Sequence, residues 1–151
     1  MAEIARVLKP GGFLVAAVWS SPERNPYLRI PIDIFKTFLT IPPPAPEQPG
    51  IFRLAKAGDL SGIVSRAGLS VMAEDEVEGE SYFDSVDEYW ASLKEIAAPI
   101  QGLLGKLAPP QLEEAETQIR RAAEGYRKGK AIALPMAIRI VTARKPEVAS
   151  A

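Results

Sequence analysis

The run Phe13-Leu14-Val15-Ala16-Ala17-Val18-Trp19 carries no polar side chain. Side chains alternate between the two faces of a strand, so a strand made of this run is apolar on both. Such a strand suits the middle of a largely parallel sheet with helices above and below it. It is too short to cross a bilayer, which takes roughly 20 apolar residues. A central strand needs a neighbour on each edge, yet only residues 1–12 precede this one. The chain therefore reads as the second half of a larger α/β domain, with one edge of this strand open.

The flanking segments fit that frame. Ile4, Val7 and Leu8 have helical spacing, and Lys9-Pro10-Gly11-Gly12 stops the helix. Pro10 presets φ for the second turn position, and Gly11 supplies the positive φ of a type II turn. After a polar loop, Asn25-Pro26 can cap and open a helix, which Pro31 should kink or restart before the stripe Ile32, Phe35, Phe38 and Leu39. Prolines crowd residues 42–49, as in an extended linker. Leu60, Ile63, Val64 and Ala67 share one helical face, and Gly68 fits its C-terminal cap. Residues 71–83 read as a strand with an acidic middle. Ser85-Val86-Asp87-Glu88 is a capping box opening a helix that shows Val86, Tyr89, Trp90 and Leu93 on one side. A longer helix is expected over residues 110–128, with Gly129 as its stop. Residues 136–143, Met136-Ala137-Ile138-Arg139-Ile140-Val141-Thr142-Ala143, make a last strand. Helices alternating with strands imply α/β layers.

Composition narrows the chemistry. Lys and Arg number 18 and Asp and Glu 19, for a net charge of −1. Nothing in that balance draws the chain to nucleic acid or to an acidic membrane. With no cysteine, disulfides, thiolate metal sites and a thiol nucleophile are excluded. With no histidine, the Ser-His triad and most zinc sites go too. The first ten residues lack a signal-peptide layout, and a soluble cytoplasmic protein is the simplest reading.

Taken together, Glu3-Ile4-Ala5-Arg6-Val7-Leu8-Lys9-Pro10-Gly11-Gly12 followed by the 13–19 run resembles class I S-adenosylmethionine-dependent methyltransferases. It is closest to the type 11 group, which includes the ubiquinone/menaquinone-biosynthesis C-methyltransferases. Arg66-Ala67-Gly68-Leu69 before a strand, Asn25-Pro26-Tyr27 after the first strand, and the ending Ile138-Arg139-Ile140-Val141-Thr142-Ala143-Arg144-Lys145-Pro146 agree with it.

The resemblance implies the C-terminal half of a Rossmann-like methyltransferase sheet. It would have three strands, fifth to seventh of seven, with the last two an antiparallel pair. Residues 1–84 and 135–146 would form the partial core, 85–134 a helical lid and 147–151 a tail. The family holds S-adenosylmethionine with a Gly-rich loop after its first strand and an acidic residue after its second. This sequence has neither. Gly11-Gly12 follows a helix and precedes a strand, the reverse of the arrangement that cradles a cofactor. The implied cofactor is therefore expected not to bind this chain tightly on its own.

Several motifs weigh towards structural roles. Gly11-Gly12 makes a turn. The acidic residues at 74–80 lack the periodicity of a calcium loop and read as a solvated strand edge. Arg120, Arg121, Arg127, Lys128 and Lys130 alternate with glutamates, as on a mixed solvated face. No metal site and no catalytic residue is assigned. The aromatics Trp19, Tyr27, Phe35, Tyr82, Tyr89 and Trp90 are the candidate substrate-binding residues, because the resembled fold places them at a strand's carboxyl end or on the lid. Core packing competes as an explanation for each. The leading function is the substrate-side portion of a methyltransferase acting on a small apolar or aromatic acceptor. The alternative is a non-enzymatic interaction module that dimerises through the open edge of the 13–19 strand. Neither nucleic acid nor a membrane is an expected partner.

Overall fold

The computed structural model of the chain describes residues 1–42, 48–96 and 98–147. Much of the proline-rich 42–49 segment, residues 43–47, lies outside the described residues. Two compact units are present: Met1–Ser21, Pro46–Glu78 and Ala137–Ala151 form one, and Pro22–Ala45 and Gly79–Met136 the other.

The first unit opens with helix α1 (Ala2–Val7) and strand β1 (Phe13–Trp19). The turn between them forms as its residue types require. Gly12 donates its N–H to the Lys9 carbonyl at 2.9 Å, and Gly11 adopts φ 75°. The Lys145 ammonium caps the end of α1, donating to the carbonyls of Ala5 at 2.7 Å and Leu8 at 2.8 Å. A cation suits that end of a helix, where carbonyls are left without partners. Helix α3 (Asp59–Arg66) and strands β2 (Ser70–Phe83) and β4 (Ala131–Arg144) complete the unit's framework; β2 and β4 each run on into the second unit. The core gathers Ala5, Leu60, Val64, Leu69, Val141 and Ala143, with Leu14, Ala16 and Val18 of β1 packed against it.

The sheet order is β1-β4-β2, and β1 pairs antiparallel with β4 from Phe13↔Arg144 to Trp19↔Ile138. This corrects the expectation of a parallel strand buried on both faces. Leu14, Ala16 and Val18 face the core, but Phe13 and Val15 are 59% and 67% exposed. The unit layers its helical core on one face of β1, so alternation leaves the odd-numbered residues in water. Among the described residues β1 is the terminal strand of the sheet, as expected.

The second unit is built from α2 (Pro26–Phe38), α4 (Val86–Ile96), α5 (Ala98–Leu104), α6 (Pro109–Glu124) and a short strand β3 (Arg127–Lys128). Helix α2 packs against α5 and α6, and α4 against α5 and α6. Phe35, Tyr89, Leu93, Ile100 and Ile119 have no accessible surface there. Each such side chain contributes roughly 1.5–3 kcal/mol of transfer free energy. The capping box forms in a shifted version: the Ser85 hydroxyl accepts the Glu88 N–H at 3.2 Å, and the Glu88 carboxylate accepts the Asp84 N–H at 2.5 Å.

Three expectations are corrected here. The helix placed over 110–128 ends at Glu124, and Arg127–Lys128 pairs antiparallel with Ala131 and Ile132, making a fourth strand. Gly129, at φ 62°, leads the two-residue turn of this hairpin, the position that such turns reserve for glycine. The last strand consequently starts at Ala131 rather than at 136. Finally, Pro31 does not restart its helix; α2 continues through it from Pro26 to Phe38.

Candidate functional site

Pro31 explains the aromatic centre of the second unit. A proline has no N–H, so the carbonyl one turn earlier, on Tyr27, loses its helical donor. The Tyr89 hydroxyl supplies the missing bond, donating to the Tyr27 carbonyl at 2.8 Å. The Ser92 hydroxyl donates in turn to the Tyr89 carbonyl at 2.8 Å and lies 3.3 Å from the Tyr27 hydroxyl. Tyr27 stacks on Phe83 with centroids 5.8 Å apart and an interplanar angle of 8°. Tyr89 sits edge-on to Tyr27 at 5.6 Å and tilted against Phe83 at 5.4 Å. Burial pushes the Tyr89 hydroxyl far above its ordinary range, with the neighbouring Tyr27 and Tyr126 adding to it. It is a permanent donor and no acid–base group at neutral pH.

The six aromatic candidates thus separate. Phe35, Tyr89 and Trp90 belong to the helical core, with Lys94 above the Trp90 ring at 5.5 Å. Tyr27 is half-buried beside Tyr89. Tyr82 is exposed, and its hydroxyl donates to Glu80 at 2.5 Å. Trp19 is partly exposed at the end of β1 in the first unit. Phe83 and Ser92 join the cluster without having been singled out from the sequence. Strand alternation was the available signal for Phe83, because Tyr82 and Phe83 must face opposite ways.

In the first unit a polar network forms just past the end of β1. Ser20 is buried, its N–H donates to the Ala137 carbonyl at 2.9 Å, and its hydroxyl donates to Glu76. Arg139 pairs with Glu76 at 3.3 Å and donates to the Ala55 carbonyl at 2.7 Å. Glu74 accepts the Gly58 N–H at 3.0 Å and the Ser61 hydroxyl at 2.5 Å. Those two donors hold its carboxyl below the ordinary carboxylate range. The acidic run is therefore no mere solvated edge: Glu74 and Glu76 are held by protein donors. In the second unit Glu80 is bonded to Lys128, Arg120 to Asp87 and Glu116, and Arg127 to Glu124. The basic residues Arg120, Arg127 and Lys128 are thus neutralised locally, in keeping with a mixed face.

Within the first unit a groove of about 270 Å³ is lined by Arg53, Leu54, Gly58, Asp59, Ile63 and Arg66. None of the aromatic candidates lines it. Among the described residues no group of three acidic or other metal-ligating side chains stands together, and no helix is long and apolar enough to cross a membrane.

The Gly11-Gly12 turn does not fit S-adenosylmethionine. A phosphate- or carboxylate-cradling glycine loop leaves open space where side chains would stand. Here a Cβ on Gly12 would lie 2.8 Å from the Lys9 carbonyl, and one on Gly11 would lie 3.3 Å from the Arg144 guanidinium. The turn is closed on itself, and the Gly11 N–H donates to the carbonyl of Lys145, the residue after β4, at 2.9 Å.

No family model matches the sequence, and no curated protein does. Among solved structures, the chain is similar to a Bacillus halodurans C-125 protein described as a candidate methyltransferase, at 16% identity and a TM-score of 0.46. The match covers 96% of this chain and 61% of that one, so the chain spans under two-thirds of the neighbour's length.

Proposed function

We propose that this chain is the acceptor-side part of an S-adenosylmethionine-dependent methyltransferase that acts on a small apolar or aromatic acceptor. The observation that carries the reading is the sheet. Its last strand lies between the first and second and runs antiparallel to the first, so the segments likened to strands six and seven are neighbours. The ordered motifs from Glu3 to Pro146 support it further. In this reading the methyl donor is held by residues outside those present. This chain shields and orients the acceptor, which acts through proximity and exclusion of water. Tyr27 keeps accessible surface in the second unit and is assigned to acceptor contact. Phe35, Tyr89 and Trp90 serve the helical core.

Calorimetry of the chain with S-adenosylmethionine is expected to show no micromolar binding. A clear micromolar affinity would overturn the view that the donor is held elsewhere. The acceptor role is checked separately by titrating simple phenols and quinols against the Tyr27 ring signals in NMR spectra. Shifts of those signals support it, and signals unmoved at about millimolar ligand, the weak limit of specific binding, count against it. A second reading, an interaction module without catalysis, is favoured by the open edge of β1.

A further inference from the structure

We propose that the groove along helix α3 binds a small organic anion, a phosphate or carboxylate that also carries a hydroxyl group. The inference stands apart from the acceptor reading, since none of the aromatic candidates lines this groove. Nor does it depend on the edge of β1. Glu74 of β2 accepts from Gly58 and Ser61, so the first turn of α3 is tied to β2, at the other end of the β1-β4-β2 order.

The first element is the face that α3 turns outward. Leu60 and Val64 enter the core of the unit. Asp59, Ile63 and Arg66, at spacings of four and three, share another face and line the groove. Gly62 stands inside the helix, where glycine is a poor helix former. Its missing side chain leaves room for Arg66: a Cβ on Gly62 would stand 3.3 Å from Arg66 Nη1. Side chains of a helix lean towards its N-terminus, and the Arg66 guanidinium lies back over Gly62 in that direction.

The second element is a wall held in place before any ligand arrives. Arg53 and Leu54 reach the groove from the segment that precedes α3. That segment is fastened by its own turns: the Arg53 N–H donates to the Gly50 carbonyl at 3.2 Å, the Ala55 N–H to Phe52 at 3.1 Å and the Asp59 N–H to Lys56 at 3.2 Å. Arg139 donates to the Ala55 carbonyl, and Leu54 packs against the core. A wall already ordered lowers the entropy cost of binding.

The third element is charge. Two guanidinium groups and one carboxylate share the groove with the apolar Leu54 and Ile63. Among the described residues Arg66 has no ion-pair partner, whereas Arg120, Arg127, Arg139 and Arg144 are each paired with a carboxylate. Guanidinium forks bind the oxygens of phosphate and carboxylate two at a time. Asp59 selects the rest of the ligand. An ionised carboxylate only accepts hydrogen bonds, so it repels a bare anion and favours one with a hydroxyl to donate. At about 270 Å³ the groove falls below the ~300–1,000 Å³ of pockets for drug-sized ligands, which limits the occupant to a few carbons.

NMR titration of the chain with glycerol 3-phosphate, malate and inorganic phosphate tests this. The Gly58 and Gly62 amide signals should shift with at least one of the two hydroxylated anions, with a Kd of about 1 mM or tighter. The tighter of the two names the anionic group, and inorganic phosphate should bind more weakly than it. Arg66→Ala, at an exposed position, should keep the fold and lower the affinity at least tenfold; Arg53→Ala takes its place if that variant fails to fold. Arg121→Ala, also exposed but on α6, should leave the affinity unchanged. Asp59→Ala should erase the preference over inorganic phosphate. Signals unmoved at about 10 mM of either hydroxylated anion would overturn the proposal. So would inorganic phosphate binding as tightly, an affinity that a folded Arg66→Ala or Arg53→Ala variant leaves intact, an equal loss in Arg121→Ala, or a preference that survives Asp59→Ala.

Discussion

In the helical unit Phe35, Tyr89, Leu93, Ile100 and Ile119 have no accessible surface, whereas the sheet unit leaves Ile4, Val7, Phe13, Val15, Met72 and Val77 exposed. The difference follows from layering. Helices α2, α4, α5 and α6 close around one another, so each apolar stripe finds a facing stripe. The sheet unit packs α3 and the core side of β1 together but leaves the odd-numbered side chains of β1 uncovered. One unit closes over a helical core; the other keeps the odd-numbered face of β1 in water.

The largest effects should come from breaking the closed unit. Leu93→Ala is expected to cost about 2–5 kcal/mol in urea denaturation, the range for a fully buried leucine. Val15→Ala in the open unit should stay within about 0.5 kcal/mol, as exposed substitutions do. Equal costs would erase the contrast between the units.

A finer test concerns the aromatic centre. Tyr89→Phe removes the donor to the Tyr27 carbonyl, which Pro31 cannot replace, and should cost about 1–3 kcal/mol. In a Pro31→Ala background the helical N–H returns, and the cost of Tyr89→Phe should fall by at least half. An unchanged cost in that double-mutant cycle would mean that the hydroxyl serves something other than the carbonyl that Pro31 orphans.

Within the open unit, Gly11→Ala forces an L side chain into φ 75° and should cost about 1–2 kcal/mol in thermal or urea unfolding. The smallest expected effect is a pH dependence. The Ser61 hydroxyl and the Gly58 N–H depress the Glu74 pKa in the folded chain relative to the ordinary 4.5. Its contribution is present above that value and disappears as pH falls through the lower folded value. The urea midpoint of the parent should therefore drop more steeply than that of Glu74→Gln between about pH 6 and about pH 3.

Local chemistry made much of this fold legible. The Lys9-Pro10-Gly11-Gly12 turn, the Asn25-Pro26 helix start and the Ser85 cap each rest on backbone rules that act within four residues. Non-local choices were less visible. An apolar run can be a central strand or an edge strand, and only the position of β4 decides which. Arg127 and Lys128 have helical neighbours before them, and their pairing with Ala131 and Ile132 depends on a turn that composition alone reads as a helix stop. The aromatic candidates shared a residue type but not a place: burial took Phe35, Tyr89 and Trp90 into the core, and the 82–83 alternation exchanged Tyr82 for Phe83. The bond between Tyr89 and Tyr27 needed the tertiary fold to answer a vacancy that Pro31 had already announced.

Residue-resolved hydrogen exchange along β1 tests the contrast between a closed and an open unit most directly. In dilute solution the amides of Phe13, Val15, Ala17 and Trp19 should exchange fast and those of Leu14, Ala16 and Val18 slowly. Protection of the odd-numbered amides that is already complete at high dilution, or no alternation along the strand, would contradict the account.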